Sequence, residues 1–427
     1  MAPRLEALGG TSDLLPAETA RWQAVEQTAR QVLARYGFQE VRTPILEYTE
    51  VFRQSLGEAT EVVQKQMYRF QDRGGREVAL RPEGTASAVR CYLEHGLDKT
   101  SGLVKWYYIG PMFRAERPQA GRRRQFHQLG VEVFGSASPY QDAEVLALLM
   151  HLLSALGLTK AVLNVNNLGC RNDRPKMAEA LRAHFARHRD ALCGDCRERL
   201  TTNPLRILDC KEPGCRQLAA DLTPSQWVCE ACADHVRRVL GALGELSIAY
   251  EQDPRMVRGL DYYTRTAFEV THPGLGAQDA IGGGGRYDDL VQQMGGSTLV
   301  PAIGFALGLE RVLMALEAEG VAPALAAPPA VFVATLGETA QPKGLELLHR
   351  LRQAGIAAAG EYEARPLKRQ LEQASKLGCA YAALVGDDEL AKQVVTLRDM
   401  QQRTQTPVPW ARAVEELQRR VAGKEGR

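Results

Sequence analysis

Apolar residues return every three to four positions between Ala17 and Tyr36 (AETARWQAVEQTARQVLARY), and Gly37 follows where a helix would close. The pattern then shortens. FQEVRTPILEYTEVF reads as strand, with Pro44 better suited to an edge or an interface than to a central position. YRFQDRGGREVALRPEGTASAVRCYL predicts a hairpin turning at Gly74–Gly75, whose second strand runs on into a helix. LVKWYYIGPM and LGVEVF predict two buried strands, and residues 139–156 predict a helix.

The texture changes near residue 166. From there to about 235 the chain is charged and helical and holds most of the nine cysteines, so it reads as an insertion interrupting one domain. Strand-like sequence resumes in SIAYEQDPRMVRGLDYYTRTAFEVTH and IGGGGRYDDL, and VPAIGFALGLERVLMALEAEG then reads as a helix spaced by glycines. The Ala- and Pro-rich linker APALAAPPA (322–330) marks the next boundary. Beyond it VFVATL, IAAAGEY, YAALVG and VVTLRDM alternate with helices, the pattern of a small α/β domain.

Composition bounds this picture without changing it. A chain of 427 residues and 47.0 kDa has room for two or three domains. Its 53 basic residues nearly balance 51 acidic ones, for a net charge of +2, so any nucleic-acid surface must be local. The start of the chain lacks the apolar core of a signal peptide, and no run approaches the length of a bilayer span. The expectation is a cytoplasmic protein whose cysteines are thiols or metal ligands rather than disulfides.

Between the two buried strands lies FRAERPQAGRRRQFHQ (113–128), with five arginines and one glutamate. Arginine keeps its proton at working pH, so burying it without a partner is costly, and the stretch predicts an anionic ligand. Period-two alternation puts Phe126, Gln128, Gly130 and Glu132 on one face of the return strand. That face reads as a pocket wall or as the wet side of a half-exposed strand. The apolar flanks favour the pocket. His127 has the opposite parity and reads as structural.

Three segments, in order, resemble the motifs of class II aminoacyl-tRNA synthetases: TPILEYTEVF, the hairpin from Arg114 to Phe126, and FALGLERVL with Arg311. LRPEGTASAVR (80–90) and VRGLDYYTRTAFEV (257–270) are similar to the two signatures of the histidyl-tRNA synthetase family. GGGGRYDDL (282–290) and GDDEL…VVTLRDM match it too, and the resemblance covers about residues 8 to 425.

The resemblance implies an α+β catalytic domain on an antiparallel sheet, the class II synthetase fold, in two parts (1–165 and 241–325) around a helical insertion (166–240). A C-terminal α/β anticodon-binding domain with a mixed sheet (329–427) would follow. It implies a homodimeric histidine–tRNA ligase, away from any membrane, that binds L-histidine, ATP with Mg²⁺, and tRNA(His). Arg114 and Arg258 would hold the α-phosphate from two sides, Arg258 standing where many relatives place a divalent ion. Arg311 would lie over the adenine and reach the γ-phosphate, Phe126 would stack on the other face of the base, and Glu116 would read its exocyclic amine. Glu83, Gly84 and Thr85, in an extended segment, would contact the α-amino group of histidine with Gln128, and Arg258 belongs to the histidine site too. Glu132 and Tyr263 would hold the imidazole nitrogens with Tyr262 beside them. Glu132 has a second reading, a buried carboxylate paired with a nearby arginine.

The remaining hairpin arginines, Arg117 and Arg122 to Arg124, fit either acceptor-stem phosphate contacts or a solvated loop. Arg365, Lys368, Arg369 and Lys376 fit either anticodon contacts or a solvated helix. LGGTSD stands where the family usually has Arg-Gly-Thr, so Gly9 removes a charge. Cys193-x2-Cys196 and Cys229-x2-Cys232 have the spacing of a structural zinc site, although the flanked Cys210-x4-Cys215 leaves the pairing open and free thiols are the other reading. Cys91, Cys170 and Cys379 read as isolated core thiols. The rival functions are a catalytically inactive paralogue serving as regulatory subunit of ATP phosphoribosyltransferase and a zinc-dependent RNA-binding module.

Overall fold

Helix α1 (Pro16–Arg35) starts on a proline, whose missing N–H is harmless in a first turn, and buries Trp22, Val25, Ala29, Val32 and Leu33. Gly37, at φ +77°, turns the chain out of it. The stretch expected as one strand divides: β1 (Gln39–Glu40) and β2 (Leu46–Tyr48) are short, and TEVF lies in helix α2 (Thr49–Leu56). Burial of Phe52, Ser55 and Leu56 at helical spacing decides that outcome. β3 (Arg69–Gln71) and β4 (Glu77–Leu80) form the hairpin around Gly74–Gly75 and join β2 in a three-stranded sheet. Helix α3 (Thr85–Glu94) follows. The long strands β5 (Val104–Phe113) and β6 (Gln125–Phe134) then pair antiparallel along their whole length, and α4 (Pro139–Ala155) and β7 (Val162–Asn167) complete the first part.

The structure, a computed structural model, describes residues 5–58, 60–100, 102–117, 121–220, 222–257, 262–276, 278–322, 328–363 and 365–425. After β7 come α5 (Arg174–Ala186), α6 (Gly194–Thr202), α7 (Pro213–Leu218) and α8 (Glu230–Glu245). The insertion edge expected at residue 240 thus falls inside α8, whose Val239 and Leu243 pack in the core of the large sheet. β8 (Glu251–Gln252), β9 (Thr264–Thr271), β10 (Ala280–Arg286), α9 (Leu290–Gln293), β11 (Ala302–Gly308) and α10 (Leu309–Glu319) close this unit, which ends at Ala324. AIGFALG is therefore a strand, and only LERVLMALEAE is helical, correcting the glycine-spaced helix. Gly304 and Gly308 lie in β11, where a glycine leaves space against a neighbouring strand.

The large sheet runs β1-β5-β6-β11-β10-β9-β7-β8 and is antiparallel except at its edges, where β1 joins β5 and β8 joins β7 in parallel. Its two faces have separate cores. Leu129, Val131 and Val133 of β6 face α1, α4, α8 and α10, whereas Phe134 faces a second cluster with Phe52, Val89, Tyr92 and Tyr287. Tyr262 and Tyr263 lie on that second face, and Arg311 starts α10 on the first.

The C-terminal unit, Leu325–Arg427, has a mixed sheet of β12 (Val331–Leu336), β13 (Ala358–Gly360), β14 (Tyr381–Gly386), β15 (Val394–Asp399) and β16 (Gln405–Pro409), ordered β13-β12-β14-β15-β16. The first three are parallel and the last two antiparallel to their neighbours. Helices α11 (Gln341–Gln353), α12 (Leu367–Lys376), α13 (Asp387–Ala391) and α14 (Ala413–Glu425) join them. Among the described residues of the chain, no helix is long and apolar enough to cross a membrane.

Candidate active site

The arginine hairpin supplies one end of the site. Arg114 leaves β5 with its Nε donating to the Pro82 carbonyl at 3.0 Å and its guanidinium 5.2 Å from the Phe126 ring centre. Burial presses its pKa below the usual arginine value, while Glu116 and Glu83 oppose that shift. Glu116 lies 4.0 Å from Arg114 and 3.5 Å from Arg122. Burial also lowers the Arg311 pKa, and the charge of Arg122 adds to the lowering at both Arg311 and Arg114. Arg311, on the first turn of α10, donates to the Ala280 carbonyl at 3.0 Å, and a Cβ at Gly121 would overlap its guanidinium. Three guanidiniums from two segments thus share one neighbourhood, with Glu116 close to two of them. Arg258 lies outside the described residues, as do residues 118–120 of the hairpin loop.

At the other end Glu132 projects from β6 into a wall of tyrosines. Tyr108 donates to one carboxylate oxygen at 3.1 Å and Tyr287 donates to the other. Burial raises the Glu132 pKa to about 8, although these hydroxyls and Thr85 favour its charged form. Among the described residues the partners of Glu132 are hydroxyls and not an arginine, which corrects the arginine-paired reading. Glycine makes the room. Gly304 sits directly across from Glu132 in β11, and a Cβ there would overlap the carboxylate. A Cβ at Gly130 or Gly84 would likewise overlap the Tyr108 ring. Tyr262 and Tyr263 are buried beside this wall, their ring centres 4.6 Å apart, and Tyr262 meets Tyr287 edge-on.

Between the two ends stands Glu83. The segment around it is not extended as expected: Glu83 caps α3, accepting from the amides of Thr85 at 2.6 Å and Ala86 at 2.9 Å. An acceptor at a helix start satisfies amides that have no partner within the helix. Burial nevertheless raises its pKa, against those amides and the charge of Arg114. Gln128 is the orphan. Its Oε1 is buried and meets no donor among the described residues, a state that a polar ligand would relieve. His127 points to the opposite side, its ring 4.8 Å from Trp22 and its amide donating to Glu310 at 3.0 Å.

Several supports escaped the sequence reading. Arg286 is fully buried and bridges Asp142 and Asp288, while Asp142 also takes His235 at 2.8 Å. Burial works against the Asp142 anion, but His235 and Arg286 hold its pKa below the ordinary carboxylate value. This network fixes the strand end from which Tyr287 reaches Glu132. Arg81 donates to the carbonyls of Thr43 and Pro111 and so ties the proline segment to β5. Gly9 and Gly10 accept from Arg124, so backbone carbonyls clasp the hairpin where a charged residue was missed. The pattern GGGGRYDD was the available signal for Arg286 and Tyr287. A polar cleft of about 690 Å³ opens beside Tyr262, lined by Arg171, Arg174, Thr264, Asp289 and Gln292 among others. It adjoins the tyrosine end through Tyr262 but does not include the arginine end.

The cysteines group differently from the expected set. Cys193 and Cys196 cluster with Cys210 and Cys215, whereas Cys229 and Cys232 cluster with Cys170 and Asp173. The four-ligand set of Cys193, Cys196, Cys229 and Cys232 is thereby corrected, and Cys170 is no isolated thiol. Spacing alone could not reveal that the two knuckles sit in separate places.

Known proteins agree with this architecture. A family model described as histidyl-tRNA synthetase matches residues 10–312, and one described as an anticodon binding domain matches residues 330–420. The histidine–tRNA ligase of Desulforudis audaxviator is 50% identical over 415 residues, covering 97% of this chain and 98% of its own. The apo histidyl-tRNA synthetase of S. aureus superposes with a TM-score of 0.83 at 35% identity, covering 97% of this chain and all of that one. A Bacillus halodurans protein titled as an ATP phosphoribosyltransferase regulatory subunit/histidyl-tRNA synthetase reaches a TM-score of 0.63 at 20% identity over 88% of this chain and 97% of its own, a likeness of fold alone.

Proposed function

The chain belongs to the histidyl-tRNA synthetase family, with its class II fold, and from that premise we propose how its cleft works as a histidine–tRNA ligase. It joins L-histidine to ATP as histidyl-adenylate and passes the acyl group to the 3′ end of tRNA(His). The observation that carries this reading is one site with two characters, guanidiniums at one end and an orphaned amide oxygen with a tyrosine-held carboxyl at the other.

The carboxylate of histidine is already an anion, so its attack needs no base from the protein. It needs neutralisation and alignment, because two negative groups must approach. A carboxylate oxygen bonds to the α-phosphorus while the bond to the bridging oxygen breaks, and pyrophosphate leaves with that electron pair. Arg114, held by Pro82 and Phe126, donates to the α-phosphate from one side. Arg258 is assigned the other side, Arg311 the adenine face and γ-phosphate, Phe126 the opposite face of the base, and Glu116 its amine. ATP arrives as its magnesium complex. Bound there, the ion would neutralise phosphate charge, while Glu83 and Glu132 already accept from protein donors. The 3′-hydroxyl of the terminal adenosine then attacks the acyl carbon and AMP departs.

Gln128 and Glu83 receive the α-ammonium beside Gly84 and Thr85. Glu132 takes one imidazole nitrogen and Tyr263 the other, with Tyr262 alongside. A ring unable to pair with these groups leaves them buried and unsatisfied, the strongest source of discrimination available. We further assign a cytoplasmic homodimer built on the small sheet, where Ile45, Leu46, Tyr48 and Phe70 remain 40%, 51%, 54% and 47% exposed. The C-terminal unit binds the anticodon of the tRNA, and the insertion approaches its acceptor arm.

Histidine-dependent exchange of labelled pyrophosphate into ATP tests the reading. Exchange with histidine and not with other amino acids is expected. Its absence in the intact purified protein would overturn the ligase in favour of the regulatory paralogue.

A further inference from the structure

The two sulfur clusters of the insertion have no part in the chemistry above, and both are built like metal sites. In each, four potential ligand atoms lie within 4.8 Å of one another. Cys193 caps α6 and Cys196 occupies its first turn, while Cys210 and Cys215 arrive from the segment around α7. The Cys193 and Cys210 sulfurs are 3.9 Å apart. Zinc–sulfur bonds of about 2.3 Å in a tetrahedron put neighbouring sulfurs about 3.8 Å apart. The Cys193 amide donates to the Cys215 sulfur at 3.3 Å, a bond that a metal-held sulfur also accepts. Three of these cysteines are buried in the insertion's own small core with Leu181, Phe185, Ile207 and Leu208. A core of that size is commonly stapled by a metal or disulfides.

The second cluster is independent of the first. Cys170 follows β7, Asp173 caps α5, Cys229 caps α8 and Cys232 lies in its first turn. The buried Asp173 carboxylate accepts from the Cys170 amide at 3.0 Å and its thiol at 3.3 Å. Asp173 and Cys229 stand at the starts of α5 and α8, where the positive end of each helix dipole favours anionic ligands. Asn167 donates to the Cys232 carbonyl at 3.0 Å and fixes α8 to the end of β7.

We propose that the insertion holds two structural zinc ions, one on Cys193, Cys196, Cys210 and Cys215 and one on Cys170, Asp173, Cys229 and Cys232. Zinc accepts four thiolates, and also three thiolates with a carboxylate, in tetrahedral closed sites. The first ion organises the insertion internally, and the second clamps it to the catalytic sheet. The proposal stands on ligand geometry and does not depend on the ligase reading.

The test is native mass spectrometry, with elemental analysis, of the intact chain purified with zinc chloride present. Two zinc ions per chain are expected. Cys193→Ser and Asp173→Asn should each leave one, and the double variant none. Should a variant fail to fold, the count on the unaltered chain still decides: one zinc, none, or iron in place of zinc overturns the proposal. So does loss of one and the same ion in both Cys193→Ser and Cys229→Ser, which would mean a single shared site.

Discussion

The two ends of the cleft manage charge by opposite means. Around Arg114, Arg122 and Arg311 the charge is permanent, partly open to water, and carried by a hairpin and a helix start; Arg114 keeps 25% of its side chain exposed and Arg122 47%. Around Glu132 the charge is conditional, deeply buried and built into two neighbouring strands. The contrast follows from what each end must receive. A triphosphate brings its own charge and needs cations that never titrate, whereas an imidazole must be told from other rings by donors and acceptors in a dry, fixed frame.

Removing a permanent charge should therefore be the harshest intervention. Arg114→Ala is expected to lower histidine-dependent pyrophosphate exchange by about 100-fold or more, roughly 3 kcal/mol of transition-state stabilisation. A loss confined to the ATP KM would instead make Arg114 a ground-state anchor. Disturbing the frame comes next: Gly304→Ala drives a methyl into the Glu132 carboxylate and should cost about 1–3 kcal/mol of stability, read by denaturant unfolding.

Neutralising the conditional charge should separate the substrates. Glu132→Gln is expected to raise the histidine KM about 10-fold or more with little change in that for ATP. Steady-state kinetics giving equal changes would dissolve the distinction between the two ends. The last effect concerns pH. Glu132 titrates near 4.5 when unfolded and about 8 when folded, so the folded state prefers the proton. Its contribution is complete below about pH 4.5 and is lost as pH rises through 8. Thermal melts of the unliganded chain should show Glu132→Gln gaining on the unaltered protein between pH 5 and 9, by about 2–4 °C for each kcal/mol recovered. A gap that stays constant would mean Glu132 is ionised throughout.

Much of this was legible because it obeys local periodicity. The alternation in QFHQLGVEVF put Glu132 and Gln128 on one face and His127 on the other, and the structure keeps that division. The resemblance supplied the residues of the two signatures. What stayed hidden depends on contacts across long separations. Nothing near Glu132 in the chain announces Tyr287, which lies 155 positions away. AIGFALG looked helical because its spacing suits close approach in either element, and only pairing with β6 and β10 made it a strand. The cysteines misled for the same reason: knuckle spacing names ligand types but not which knuckles meet.

The insertion leaves the sheet from Asn167, and the chain rejoins it at β8, whose Glu251 and Gln252 pair with Asn164 and Val165 of β7. Departure and re-entry therefore lie along the same strand, and length can be gained or lost between them without disturbing strand register. The freedom has a limit in α8, which gives His235 to Asp142 and Val239 to the main core. A graft that exchanges residues 176–228 keeps the cluster of Cys170, Asp173, Cys229 and Cys232, and one that also removes α8 would take a wall out of the house.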